Sequence, residues 1–127
     1  MRRLIILACS AKKLDHAARA VDIYQGSIFK FGLQYANTNR YDVVILSALH
    51  GFLQPGTVIE PYNVKMKKPY VGPWPVGEGF YVGGQLYFAK APPRFQPLVP
   101  PAQLGYMLQS LKQLCTGTKS RHQLFNQ

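Results

Sequence analysis

Two stretches of this chain are almost unbroken apolar runs. Residues 3–9 contain Leu4-Ile5-Ile6-Leu7-Ala8, and residues 42–48 contain Val43-Val44-Ile45-Leu46. A strand covered on both faces loses the polar alternation of a half-exposed one, so both runs predict buried strands of a parallel sheet. Between them, Ile28, Phe31, Gly32, Tyr35 and Ala36 recur at helical spacing. The hydroxyl of Ser27 is placed to cap that helix. Strand, helix, strand at this spacing is a βαβ unit. A second short helix is predicted to begin near Asp15–Ala20.

The periodicity then lapses. All ten prolines fall within residues 54–101. Pro69-Tyr70-Val71-Gly72-Pro73-Trp74-Pro75 can be neither a regular helix nor a central strand. Gly83-Gly84 separates Phe80-Tyr81-Val82 from Leu86-Tyr87-Phe88. That pattern suits a two-residue hairpin or the start of a short helix, and β-propensity favours the hairpin. Phe95–Val99 reads as another short strand. From Ala102 to about Leu114 a helix is predicted, with Leu104, Met107, Leu108, Leu111 and Cys115 on one face and Gly117 at its stop. The expected architecture is therefore α/β: a small, mostly parallel sheet of three to four strands with helices on its faces. Residues 1–118 would form one domain with a Pro/Gly-rich insert at 65–97. Residues 119–127 would form a polar, frayed tail.

Composition adds a partner class. The chain has 127 residues and a formal net charge of +10. Residues 1–64 carry seven Lys/Arg against four Asp/Glu; residues 65–127 carry eight against one, Glu78. So little acid leaves a field that attracts polyanions. Nucleic acid, DNA or RNA, is the expected partner; anionic lipid comes second, an acidic protein is a further alternative, and a solvated basic surface without a partner is the structural one. No apolar run approaches the ~20 residues of a membrane span. After Met1-Arg2-Arg3 the apolar run is too short for a secretory signal. Two cysteines, Cys9 and Cys115, have no metal-like spacing and fit a reducing, cytoplasmic compartment. Neither a phosphate-loop fingerprint nor a dinucleotide fingerprint occurs, so no cofactor and no bound metal are expected.

Four places can carry chemistry. Cys9-Ser10-Ala11-Lys12-Lys13 follows the first strand, where ligands of open α/β sheets bind, and offers a hydroxyl, amides and two ammonium groups to a phosphate. The structural alternative is an ordinary polar loop. Ser47-Ala48-Leu49-His50-Gly51 ends the second strand at the same rim. There His50 can donate to an anion or act as general acid or base, and Gly51 permits a sharp exit. Glu60, extended before Pro61, and the acids Asp15 and Asp22 are the carboxylates that could work with His50. Tyr24 and Tyr62 would stack on a base or fill the core. Finally Lys65, Lys67, Lys68, Tyr70 and Trp74 combine cations with aromatic faces, as single-strand binders do; a solvated loop with a tucked tryptophan is the alternative.

Taken in order, these motifs resemble a small uncharacterised family of bacterial and phage α/β proteins. The resemblance runs through Cys9-Ser10-x-x-Lys13, Asp22-Ile23-Tyr24-x-Gly26, Ile45-Leu46-Ser47-Ala48-x-His50-Gly51 and Ile59-Glu60-Pro61-Tyr62. It continues in Pro97-Leu98-Val99-Pro100 and Leu104-Gly105-Tyr106-Met107-Leu108. The first and third pieces are distantly similar to the peroxide-stress YaaA proteins, and to a domain beside archaeal tRNA-guanine transglycosylases. Those resemblances imply a nucleic-acid-associated domain related to the uracil-DNA-glycosylase-like fold. Three functions follow as expectations. The first is a nucleic-acid or nucleotide binder with an anion site at the strand-end rim. The second is a base N-glycosidase or base-modifying enzyme using His50 with an acid such as Asp15, Asp22 or Glu60. The third is a non-catalytic phage or host interaction protein that engages an acidic partner.

Overall fold

In a computed structural model, which describes residues 2–127, the elements follow in order: β1 (Arg3–Ala8), β2 (Ala18–Arg19), α1 (Ala20–Ile23), α2 (Ser27–Thr38), β3 (Asp42–Ser47), β4 (Gly51–Leu53), β5 (Val58–Ile59), β6 (Glu78–Val82), α3 (Gln85–Phe88), β7 (Phe95–Pro97), α4 (Leu104–Thr116) and α5 (Arg121–Phe125). The main sheet runs β4-β3-β1-β6-β7. Its strands are parallel except β4, which folds back on β3. β1 lies in the middle: Ile5 pairs with Val43 of β3 on one side and with Phe80 of β6 on the other.

Alternate residues of these strands feed two cores. Ile5, Leu7, Val43, Ile45 and Val82 pack with Phe29 and Ala36 of α2, Met107 and Leu111 of α4, and Leu124 of α5. Leu4, Ile6, Ala8, Val44 and Leu46 pack on the opposite face. There the cover is Phe88 of α3, Phe95, and the half-buried Phe52, Tyr70, Trp74, Tyr81 and Tyr87. One face of the sheet is thus covered by long helices, the other by one short helix and an irregular aromatic segment.

The α/β class and the mostly parallel sheet agree with the sequence pattern, and several details differ. There are five strands in the main sheet, not three or four. The expected insert supplies β6, α3 and β7, two of those strands. Gly83-Gly84 does not turn a hairpin: β6 pairs with β1, and α3 begins at Gln85. Gly83 has φ +143°, and a Cβ there would lie 2.3 Å from Ala8 Cβ. The glycine serves a close passage over β1, which local propensity does not register. Ser27 is the first residue of α2 rather than its cap; Gly26 holds that position. The early helix is the short α1, and Ala18–Arg19 before it pairs with β5. Leu104 is exposed, and only Met107 and Leu111 of the predicted face of α4 are buried. Nor is the tail frayed. Ser120 and Gln123 form a reciprocal capping box at α5, and Leu124 enters the core.

Two helix glycines distinguish packing from propensity. A Cβ on Gly32 would meet Leu7 Cδ2 at 2.6 Å and Val82 Cγ1 at 2.9 Å, both in the packed core, whereas nothing lies within 4 Å of one on Gly105. Gly32→Ala is expected to lower stability by about 1–3 kcal/mol through overpacking. Gly105→Ala is expected to raise it by up to about 1 kcal/mol. Urea unfolding of the two variants checks this contrast; equal effects would refute it.

Candidate functional site

The chain leaves β1 through α2 to β3 on one side, while β6 joins β1 on the other. Between β1 and β6 the direction of winding reverses, and crevices that hold ligands form beyond the strand ends at such points. A cleft of about 380 Å³ lies there. Its lining includes Ala8 at the end of β1, Cys9 and Ser10 after it, Gly83-Gly84 after β6, and Tyr87, Leu104 and Leu108. The walls are mainly apolar.

Two helices begin at this cleft, since Ser27 and Leu104, the first residues of α2 and α4, both line it. The first amide bonded within α2 is that of Lys30, to Gly26 O, and within α4 that of Met107, to Gln103 O. The amides before them have no intrahelical acceptor. Neither helix has an acidic residue in its first turn. The helix ends therefore keep their partial positive charge and their free donors, which is the arrangement that attracts anions.

The loop after β1 reaches the cleft only in part. The Ser10 hydroxyl donates to Lys12 O (2.9 Å) and accepts the Gly26 amide (3.1 Å). It fastens the loop to the start of α2. Lys12 is exposed. Lys13 turns away: its Nζ donates to Ala11 O (3.3 Å) and lies 4.4 Å above the Tyr62 ring and 5.8 Å from that of Tyr24.

Beneath the rim runs a chain of hydroxyls. Ser47 is 1% exposed, and its oxygen accepts the amides of Leu49 (3.2 Å) and His50 (3.1 Å). Both lone pairs being occupied, its proton goes to the Tyr62 oxygen (2.7 Å), and Tyr62 donates in turn to Tyr24 (2.7 Å). Burial raises the Tyr24 phenol above its ordinary range and pushes the Tyr62 phenol well above it. The hydroxyls of Ser47 and Tyr24 thus hold the β3–β4 loop rather than face the cleft. Cys9 joins the two regions: its thiol accepts the Ala48 amide (3.3 Å) and contacts the Tyr87 hydroxyl (3.1 Å). Cys9 and Cys115 are free thiols, each half-buried.

The proposed acid–base set does not assemble through hydrogen bonds. His50 is exposed, with its ring edge-on to Tyr62 at 5.5 Å. Asp15 pairs with His16 (2.9 Å), whose hydrogen bond holds the carboxyl below its usual range. Asp22 pairs with Arg19 (2.7 Å). Glu60 is exposed and makes no ion pair or hydrogen bond among the described residues. Gly51, at φ +70°, lets the chain turn into β4. Lys65, Lys67 and Lys68 are exposed, whereas Tyr70, Trp74 and Phe52 meet edge to face with centroids 5.2–5.6 Å apart. The two rings expected to take bases are engaged with each other and with the sheet. Among the described residues no group of three or more His, Cys, Asp or Glu side chains could hold a metal ion, and no helix is long and apolar enough to cross a membrane.

Gly26, Gly83, Gly84, Tyr87, Gly105 and Leu108 were missed as site residues. The one available signal was a glycine pair directly after an apolar segment.

Such a sheet defines a small α/β protein, with a crevice at the point of reversal. The chain belongs to a family of unknown function (DUF6884), whose profile matches residues 4–71, from β1 past β5. No curated protein and no solved structure matches it.

Tyr62→Phe would strand the hydroxyls of Ser47 and Tyr24, and is expected to cost about 1–3 kcal/mol. The raised phenols also set a pH dependence. Tyr24 and Tyr62 resist ionisation when folded, so their contribution is complete below their ordinary value of 10.0 and is lost as pH rises beyond it. Denaturation across that range should show a steeper alkaline loss in the wild type than in Tyr62→Phe. Identical slopes would show that the chain of hydroxyls has no such role.

Proposed function

We propose that this domain binds nucleic acid, seating one nucleotide unit in the cleft at the carboxyl ends of β1 and β6. The mainly apolar walls suit a base or sugar, and the free amides at the starts of α2 and α4 suit its phosphate. One observation carries the reading: two helix starts without acidic residues open onto one strand-end cleft in a chain of net charge +10. The similarity of the Cys9–Lys13 and Ser47–Gly51 motifs to the YaaA proteins and to the transglycosylase-associated domain points the same way, as does a cytoplasmic setting.

The test is a titration of a labelled oligonucleotide followed by fluorescence anisotropy. Affinity should fall at least tenfold (roughly) from about 50 to 200 mM salt, because bound phosphates release counterions. Gly105→Asp puts a carboxylate at the cleft, in the first turn of α4, where the space is open. An acid there favours the helix, so the variant should remain as stable as the wild type while binding roughly tenfold more weakly. Salt-independent affinity, or unchanged binding by a folded Gly105→Asp, would sink the reading.

A further inference from the structure

The cations of α2, α4 and α5 have no Asp or Glu within those helices and no ion-pair partner among the described residues. Residues 23–41 and 79–127, which include α2, α4 and α5, contain no Asp or Glu. The ion pairs among the described residues all lie elsewhere, joining Arg2 to Asp42, His16 to Asp15 and Arg19 to Asp22. Several of the unpaired cations are nevertheless held in place. Lys112 of α4 lies 5.6 Å over the Phe31 ring of α2, and Lys30, the residue before Phe31 in that helix, is exposed. Arg121 is clamped between the rings of Phe80 (4.4 Å) and Phe125 (4.5 Å), and its Nη2 donates to Pro97 O (2.8 Å). Lys119 Nζ donates to a neutral acceptor, Gln127 Oε1 (2.7 Å). A cation resting on a ring has already given up much of its freedom, so it contributes to an anion's binding at less entropic cost.

These groups are also continuous in space. Lys112 and Thr116 are one turn apart on α4, joined by the bond from Thr116 Oγ1 to Lys112 O. Thr116, Lys119 and Arg121 line one hollow of about 590 Å³ where α2 and α4 end. Each of those helix ends contributes about half a negative charge, so two full positive charges leave the hollow net cationic. α4 starts at the nucleotide cleft and finishes at this hollow. Its 13 residues span about 20 Å.

From this layout we infer that a nucleic-acid strand with one nucleotide in the cleft continues along α4. Its phosphates meet Lys112 and Lys30 and end in the hollow at Lys119 and Arg121. The inference rests on the nucleic-acid reading and assigns it a path and a length. A stacked strand advances about 3.4 Å per phosphate, so α4 spans roughly six nucleotides. The aromatic segment with Lys65, Lys67 and Lys68 adjoins the other face of the sheet and lies off this path.

The experiment compares the wild type with two triple variants. One is Lys30→Gln, Lys112→Gln, Lys119→Gln; the other is Lys65→Gln, Lys67→Gln, Lys68→Gln. Arg121 is left intact because it also holds the tail, and circular dichroism confirms that each variant is folded. The probes are labelled thymidine DNA and uridine RNA oligomers of two to twelve nucleotides, the two sugars distinguishing the sources of one backbone. Wild-type affinity should rise with length and level off near six (roughly). The helix-face triple should bind at least tenfold (roughly) more weakly, with the slope of log K against log salt reduced by about two, three contacts at ~0.7 each. The other triple should lose less than half as much. Should the wild type bind with a steep salt slope while the helix-face triple matches it, the path is overturned and the nucleic-acid reading survives. If the wild type binds neither polymer, both fall.

Discussion

β1 has a parallel neighbour on each side, and the other elements are arranged around that fact. Leu4, Ile5, Ile6 and Leu7 are each 0% exposed. Burying four such side chains is worth about 6–12 kcal/mol at ~1.5–3 each. That is as large as the whole net stability of a typical domain, about 5–15 kcal/mol. A strand with that much at stake needs cover on both faces and partners on both edges. β3 and β6 supply the edges. α2, α4 and α5 cover one face, and α3 with the aromatic segment covers the other. Beyond the carboxyl end of β1 the chain goes on toward α2 and β3. The cleft forms there because β3 and β6 leave β1 in opposite directions.

The elements legible in the sequence are those whose own residues carry the reason for their form. β1 and β3 are apolar runs, and α2 and α4 are periodic. β6 was legible only in part: Phe80-Tyr81-Val82 has the propensity of a strand, but the place of β6 beside β1 has its reason in β1. Gly79 argues against a strand by propensity, yet a Cβ there would lie 1.9 Å from Leu4 O, so the strand cannot pass with a side chain at that position. α5 is short, and its capping box is only two side chains long; what holds it is Leu124 in a core built by distant residues. The site divides the same way. Cys9 and Ser10 could be placed because ligands gather beyond strand ends. Gly83, Tyr87 and Gly105 reach the cleft from segments some 75–95 residues further on, and of these only Gly83, in its glycine pair, carries a local signal.

Sequence placed Ser10, Lys13, Ser47 and His50 on one rim, and the structure divides that rim by chemistry. Toward β6 lie open amides, small residues and apolar walls. Toward β4 lie hydroxyls already committed to one another. A buried hydroxyl chain with every member paired is strong, and breaking it leaves groups that water cannot reach. It is therefore better suited to fixing the β3–β4 loop than to exchanging partners with a ligand. The cleft has the opposite character: its donors are backbone amides that α2 and α4 cannot use themselves.

Cys9 keeps these halves from being independent. Its thiol is in contact with Tyr87, which lines the cleft, and accepts the Ala48 amide of the loop that carries His50. Tyr87 also packs against Phe88, at the heart of the second core. A group that enters the cleft and displaces Tyr87 must disturb the sulfur contact and a packed ring together, so the cleft keeps its shape without a ligand. On the proposed reading, a cleft so held would lose little entropy when a nucleotide orders in it, and a net charge of +10 would draw such an anion near. In that proposal the charge governs approach, and the geometry at the end of β1 governs what would remain bound.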